Sequence, residues 1–358
     1  MHRCLRSVAV FLLLCALLCA PGTARADSAR PLEPAVTIAT SLTTDAGHIR
    51  QFAFDGNADT YFASLHNVRR ADHFTLVLDK PVVIRSVTVT TGRPAGEDKL
   101  DSGVLEMSRD GKKFDPVAKF TDGVATARLD GRAMVALRLK PSADLNHALA
   151  IREIAIESDP PLRGFKYPVE FAANVDDAPE MKAWAEKVAR ICERAYPMIN
   201  EELRSPGFKP PTRVTMTLKE DYRGVAATAG SHVIGSVKYF KQHPEDVGAM
   251  VHETVHVCQR YRGKVPGWLV EGIADYIRFY KYEPGKLRPL SPNRARYDAS
   301  YQVTARFLEY VTKKYDKELV RKLNQTLREG EYRDELFKQL TGKALPELNE
   351  DWRASLRR

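Results

Sequence analysis

The sequence predicts two domains, an all-β antiparallel sandwich followed by an α+β, mostly helical domain. Three observations predict it. Residues 35 to 158 read as short segments alternating apolar and polar residues, with Asp-Gly pairs at their turns; Asp159-Pro160-Pro161 then breaks the pattern; and from His243 onward apolar residues recur at helical spacing. A chain of 358 residues also exceeds one comfortable core, since domains cluster near about 100 to 150 residues.

Residues 1 to 26 are set apart from both domains. His2, Arg3 and Arg6 precede the apolar run SVAVFLLLCALLCA, and Ala24-Arg25-Ala26 supplies a small-x-small cleavage site, so they read as an export signal. The run is shorter than the roughly 20 residues a spanning helix needs, and Leu before Cys15 and Cys19 disfavours lipid attachment there. The expectation is a secreted or periplasmic protein with no membrane span in its mature chain. Its formal charge falls from +9 to +6 on losing Arg3, Arg6 and Arg25, and the remaining Lys and Arg are scattered, which argues against a nucleic-acid partner. Only Cys192 and Cys258 remain, enough for one bridge or for two buried thiols.

The first domain, 35–158, is read from the strands HFTLVLD, VVIRSVTVTT, GVLEMS, VATARL, MVALRL and LAIREIAIES, with turns at Asp110-Gly111, Asp122-Gly123 and Asp130-Gly131. Residues 159–165 are the expected linker. In 166–355 a strand near Lys166 to Ala172 precedes a helix from about Pro179 to Leu203, kinked at Pro197; RVTMTL and SHVIGSVKYF read as strands; and helices follow at Pro244 to Arg262, Gly267 to Tyr282 and Tyr297 to Tyr315.

The chemistry concentrates in HETVHVCQ. Four-residue spacing on a helix turns His252 and His256 to one side, where both bind one cation, and Glu253 lies at the edge of that face, placed to take a proton from a water the cation polarises. The other reading makes these ordinary helix residues. Against it stand the apolar neighbours Ala249, Met250, Val251, Val255 and Val257, which imply a buried helix where unpaired His and Glu are costly. The next helix, PGWLVEGIADYIR, carries Glu271 and Asp275 four apart, and the short connection from Gly263 to Pro266 makes it an antiparallel neighbour. Either acid reaches the metal by helix geometry. Two His and one carboxylate leave a coordination position open, the arrangement of catalytic rather than structural zinc.

Two resemblances extend this reading. AFDGNADTYFAS, GVLEMSRDGKKF and AIREIAIES resemble the discoidin, or coagulation factor 5/8 type C, family. That resemblance implies glycan binding and a structural calcium ion, with Asp55, Thr60 and Glu153 as candidate ligands. The alternative is that Asp55-Gly56 only shapes a turn. The family commonly has a Trp where this chain has Phe62, so Tyr61, Phe62 and His66 are the aromatic candidates for a sugar. From Tyr222 through SHVIGSVKYF, HETVHVCQ and PGWLVEGIADY the chain resembles the basic secretory protein peptidases of plants and bacteria, and WLVEGIADY is similar to the glutamate-bearing helix of gluzincins. This implies Zn2+ held by His252, His256 and Glu271, with Asp275 orienting one imidazole and Tyr301 donating to the oxyanion. Tyr301 as a core residue is the alternative, and SHVIGSVKYF is either a substrate-binding edge or an internal strand.

The resulting expectation is a zinc-dependent peptidase acting on protein or peptide substrates, with a sandwich that tethers it to glycans. A glycan- or surface-binding protein with a weakly active or structural metal domain is the second reading. A zinc hydrolase of non-peptide bonds is the third.

Overall fold

The computed structural model describes residues 34–357; the expected export signal, with Cys4, Cys15 and Cys19, lies outside them. Eight antiparallel strands come first: β1 Val36–Thr40, β2 Phe62–Ala63, β3 Phe74–Thr91, β4 Gly103–Ser108, β5 Asp115–Lys119, β6 Val124–Arg128, β7 Ala133–Pro141 and β8 Ala150–Asp159. HFTLVLD and VVIRSVTVTT, read as two strands, are one. β3 pairs β1 and β7 through its first half and β6 and β8 through its second, with a register shift between Val77 and Val82. The Asp79-Lys80-Pro81 interruption is therefore an irregularity that carries one strand between the two layers rather than a turn. Alternation in β3 buries Phe74, Leu76, Ile84, Val87 and Val89 in a core shared with Phe62, Leu105 and Ile154.

The second core is built on a four-stranded sheet with the order β11-β12-β10-β9, from β9 Glu170–Asn174, β10 Arg213–Lys219, β11 Ala226–Ala229 and β12 His232–Ser236. β9, β10 and β12 run parallel, and β11 pairs antiparallel at one edge. SHVIGSVKYF is thus half strand and half helix. Ser236 Oγ accepts the Tyr239 N–H at 3.2 Å, an N-cap that starts α2, Val237–Gln242. The edge expectation also moves, because β12 is internal and β11 is the edge.

The helices that position the site are α1 Lys182–Glu202, α3 Val247–Gln259, α4 Gly267–Tyr276 and α5 Tyr301–Lys314; α6 Leu319–Glu329, α7 Glu335–Thr341 and α8 Leu345–Ser355 complete the domain. α1 runs unbroken through Pro197. After α4 the chain continues as a π-helical turn, Ile277–Tyr282. Gly272 lets α5 lie close on α4, since a Cβ there would meet Thr304 Cγ2 at 2.1 Å. Among the described residues no helix is long and apolar enough to cross a membrane. Cys192 on α1 and Cys258 on α3 are unbridged and buried, and burial pushes each thiol up to about 12.

The segment expected as a linker is packed. Leu162 and Phe165 lie on the sandwich core, and Phe165 N–H donates to Phe54 O at 2.8 Å. Beside it Arg50 reaches out of the sandwich and its Nη2 donates to Glu193 Oε1 on α1 at 2.9 Å, while Gln51 Oε1 accepts the Val169 N–H at 2.9 Å. Glu193 also pairs with Arg190 at 2.8 Å. These contacts tie the two cores together through buried polar groups.

Candidate metal centre

α3 is apolar on nearly every side, so its packing under the sheet encloses the motif: His252 and Glu253 are each 7% exposed. Burying such groups requires partners, and each has one. His252 Nε2 and His256 Nε2 lie 3.0 Å apart, and Glu271 Oε2 on α4 stands 3.1 Å from the first and 3.4 Å from the second. Among the described residues these three are the group of His, Cys, Asp or Glu whose donor atoms converge as a metal site would require, all within 4.8 Å of one another. Donors on a tetrahedral zinc at about 2.0 to 2.1 Å would be roughly 3.3 Å apart, so the residues present fit that ion.

The acids of α4 separate. Glu271 faces the two Nε2 atoms, and Asp275 Oδ1 accepts a hydrogen bond from His252 Nδ1 at 2.7 Å on the far side of the ring. That bond selects the tautomer whose Nε2 lone pair points at Glu271 and His256. His256 has a counterpart that the sequence reading did not identify: its Nδ1 donates to Gln259 Oε1 at 2.7 Å, and Gln259 Nε2 donates to Val270 O at 2.9 Å on α4. The three-residue spacing from His256 to Gln259 on one helix face was the available signal.

Burial opposes charge on His252, yet Asp275 and Glu271 outweigh it and push its pKa up to about 9. Burial likewise opposes charge on Glu271, and the two imidazoles hold its carboxyl down at about 2. Protons and a cation therefore compete for the same lone pairs. Glu253 lines the same cleft, and its Oε2 accepts from Thr228 Oγ1 on β11 at 2.7 Å, a partner with no signature in the sequence.

Tyr301 is not a core residue. It is 54% exposed at the start of α5, adopts φ +46°, and its ring stacks toward His252 with centroids 6.1 Å apart. The charge of Glu271, with burial second, raises its pKa and keeps the phenol protonated. All these groups line one open cleft of about 1310 Å³, flanked by β11 and by Tyr222, Tyr239, Val270 and Phe279.

The sandwich residues are dispersed differently. Asp55 accepts the Asn57 N–H at 3.0 Å and the Thr60 hydroxyl at 2.8 Å, which is the turn geometry. Glu153 stands close enough that Asp55's charge adds to burial in raising its carboxyl to about 7, and its Oε2 is buried with no hydrogen-bond partner. Phe62 is wholly buried against Phe74 and is removed from the sugar candidates. Tyr61 is stacked by His48 at 4.0 Å and approached by Arg93, while His66 is exposed.

Comparison with known proteins separates the two halves. Three solved carbohydrate-binding modules each match 34% of this chain. CBM32-1 from a family 31 glycoside hydrolase of Clostridium perfringens is 15% identical over 92% of its own length, with a TM-score of 0.30. The family 32 module of C. perfringens NanJ, solved in complex with galactose, is 16% identical over 92%, at 0.29. A pectin-binding module is 27% identical over 88%, at 0.26. At these TM-scores the likeness carries no argument, and the sandwich stands on its own strand pairing. No curated protein matches the chain. Over residues 169–352, which hold every residue of the metal cluster, the matching family is BSP, described as "Peptidase of plants and bacteria". That match spans more than half of the sequence, and the chain belongs to this peptidase family.

Proposed function

We propose that the protein is an exported, zinc-dependent peptidase that hydrolyses peptide bonds in the cleft between β11 and α4. The observation that carries the reading is the convergence of His252 Nε2, His256 Nε2 and Glu271 Oε2 at 3.0 to 3.4 Å, beside a carboxylate they do not use. Export rests on the N-terminal signal pattern.

Zinc, when bound, acidifies water and polarises a carbonyl, and two imidazoles with one carboxylate are its ordinary catalytic donors. In this proposal Glu253 takes the proton of the attacking water and later returns it to the leaving amine. Asp275 and Gln259 hold the imidazoles in the ligating tautomer. Tyr301, protonated and at the cleft mouth, donates its O–H to the oxyanion that develops on the scissile carbonyl.

β11 is the edge on which an extended substrate would pair. Ser236 N–H donates to Val225 O, and antiparallel ladders alternate, so Ala226 and Thr228 turn their backbone groups outward. The Tyr222 hydroxyl already donates to Ala226 O there at 3.3 Å. In the sandwich, Asp55, Thr60 and Glu153 are proposed to hold Ca2+, because the enclosed, unpartnered Glu153 Oε2 beside a second carboxylate is what a hard cation relieves. A glycan role remains a proposal from the sandwich resemblance, with exposed His66 as the candidate contact.

The test is Glu253→Gln in the full chain. Hydrolysis of a peptide library should fall by about 100- to 10,000-fold while zinc stays near one per chain, because the base is lost and the donors remain. Wild-type hydrolysis should stop with a chelator and return with zinc. Normal turnover by the variant overturns the mechanism.

A further inference from the structure

We propose that Thr228 is a positioning residue for Glu253, tying the base to the strand on which the substrate backbone docks. The inference rests on the peptidase reading above, and it concerns a residue 25 positions from the base in sequence, on a different element.

Thr228 Oγ1 lies 2.7 Å from Glu253 Oε2 and 3.0 Å from the main-chain oxygen of the same residue. One hydroxyl contacting both ends of one residue fixes how that side chain folds back on its helix. With Oε2 held on the β11 side, Oε1 is the oxygen left free to face the cleft. A hydroxyl has one proton and two lone pairs, so it can serve Glu253 throughout turnover. It donates to the carboxylate while the base is ionised. When Oε1 carries the water's proton, Oε2 is still an acceptor, so the Thr228 hydroxyl goes on donating to it with no heavy atom moving. A valine of the same shape cannot donate at all.

The backbone of Thr228 supplies the second half of the argument. It pairs with Val233, a register position at which the ladder turns N–H and C=O away from β12 and toward the open edge. One residue thus offers its main chain to the substrate and its side chain to the base. A peptide pairing with β11 is placed against the same residue that aims Glu253, so alignment of substrate and base is a single event. Thr suits both duties, being β-branched for the strand and hydroxylated for the carboxylate.

The experiment compares Thr228→Val and Thr228→Ser in the zinc-loaded full chain, with kcat and KM resolved on one peptide substrate, zinc content, and thermal midpoint. The valine variant should lower kcat by about 10- to 100-fold, the loss expected for one hydrogen bond to a charged group. Its KM should stay within about twofold, because the backbone groups are retained. Zinc should remain at one per chain. Thr228→Ser should recover kcat to within about threefold, since it restores the hydroxyl. Thr228→Ala replaces the valine variant if an apolar methyl against the Glu253 carboxylate disturbs the strand. Unchanged kcat in the hydroxyl-less variants, or an equal loss in the serine variant, overturns the proposal, because a merely structural role would not distinguish Val from Ser. Retained activity in Glu253→Gln would instead overturn the peptidase mechanism, whatever Thr228 does.

Discussion

Replacing Asp275 by Asn preserves the side chain's shape and removes one negative charge from behind His252. The carboxylate oxygen lies 2.7 Å from Nδ1, and Asp275 is 4% exposed, so water cannot easily substitute for it. A hydrogen bond to a charged group contributes about 1.5 to 3 kcal/mol and a neutral one about 0.5 to 1.5. The difference, about 1 to 1.5 kcal/mol, corresponds to roughly tenfold in metal affinity, at about 1.4 kcal/mol per decade. Should the Asn amide turn its NH2 toward the ring, the wrong tautomer is favoured and the loss approaches about 100-fold. Metal-free protein titrated with zinc against a competing chelator reads this directly. Asp275→Asn should bind zinc about 10- to 100-fold more weakly and still fill at saturating metal. Glu271→Ala, which deletes one of three donors, should hold almost none. Complete loss in Asp275→Asn together with wild-type affinity in Glu271→Gln would refute the assignment and exchange the two roles.

Glu153, raised to about 7, should make stability pH-dependent. A carboxyl that binds its proton more tightly when folded contributes nothing unfavourable below its unfolded pKa near 4.5 and progressively weakens the fold up to about pH 7. Discounted for its partial exposure, the loss is about 1 to 2 kcal/mol. Melting in chelator should show that decline, millimolar Ca2+ should reverse it, and Glu153→Gln should abolish both; a variant with the wild-type profile refutes the assignment. Arg50→Ala should destabilise the fold toward the lower end of about 3 to 5 kcal/mol, because Glu193 is left in a buried site with Arg190 as its remaining cation. Denaturant unfolding measures this, and adding Glu193→Gln should recover part of the loss; no change in the single variant would show that the contact between the cores is not a stabilising one.

Much of this architecture is a matter of period. Alternation at two residues marks β3, β4, β6, β7 and β8, but not the short β5, and a spacing of four places His252 with His256 and Glu271 with Asp275, because a strand and a helix each impose their repeat on whatever sequence they carry. The metal motif was legible for that reason. Roles that depend on distance across the fold were not legible in spacing: helix geometry allowed either acid of α4 to reach the cation, the peptidase resemblance implied Glu271 as ligand with Asp275 behind a histidine, and the packing of α4 on α3 sets Glu271 at Nε2 and Asp275 at Nδ1. Ser236 ended β12 early through a hydroxyl that competes with strand pairing, and sheet order then made β11 the edge. Phe62, an apparent sugar platform, turned inward on Phe74. The contacts of Thr228 with Glu253 and of Arg50 with Glu193 join residues 25 and 143 positions apart. No local repeat encodes such pairs; they exist because two cores, each summed over many side chains, settle at one relative position that brings a lone hydroxyl or guanidinium to its acceptor.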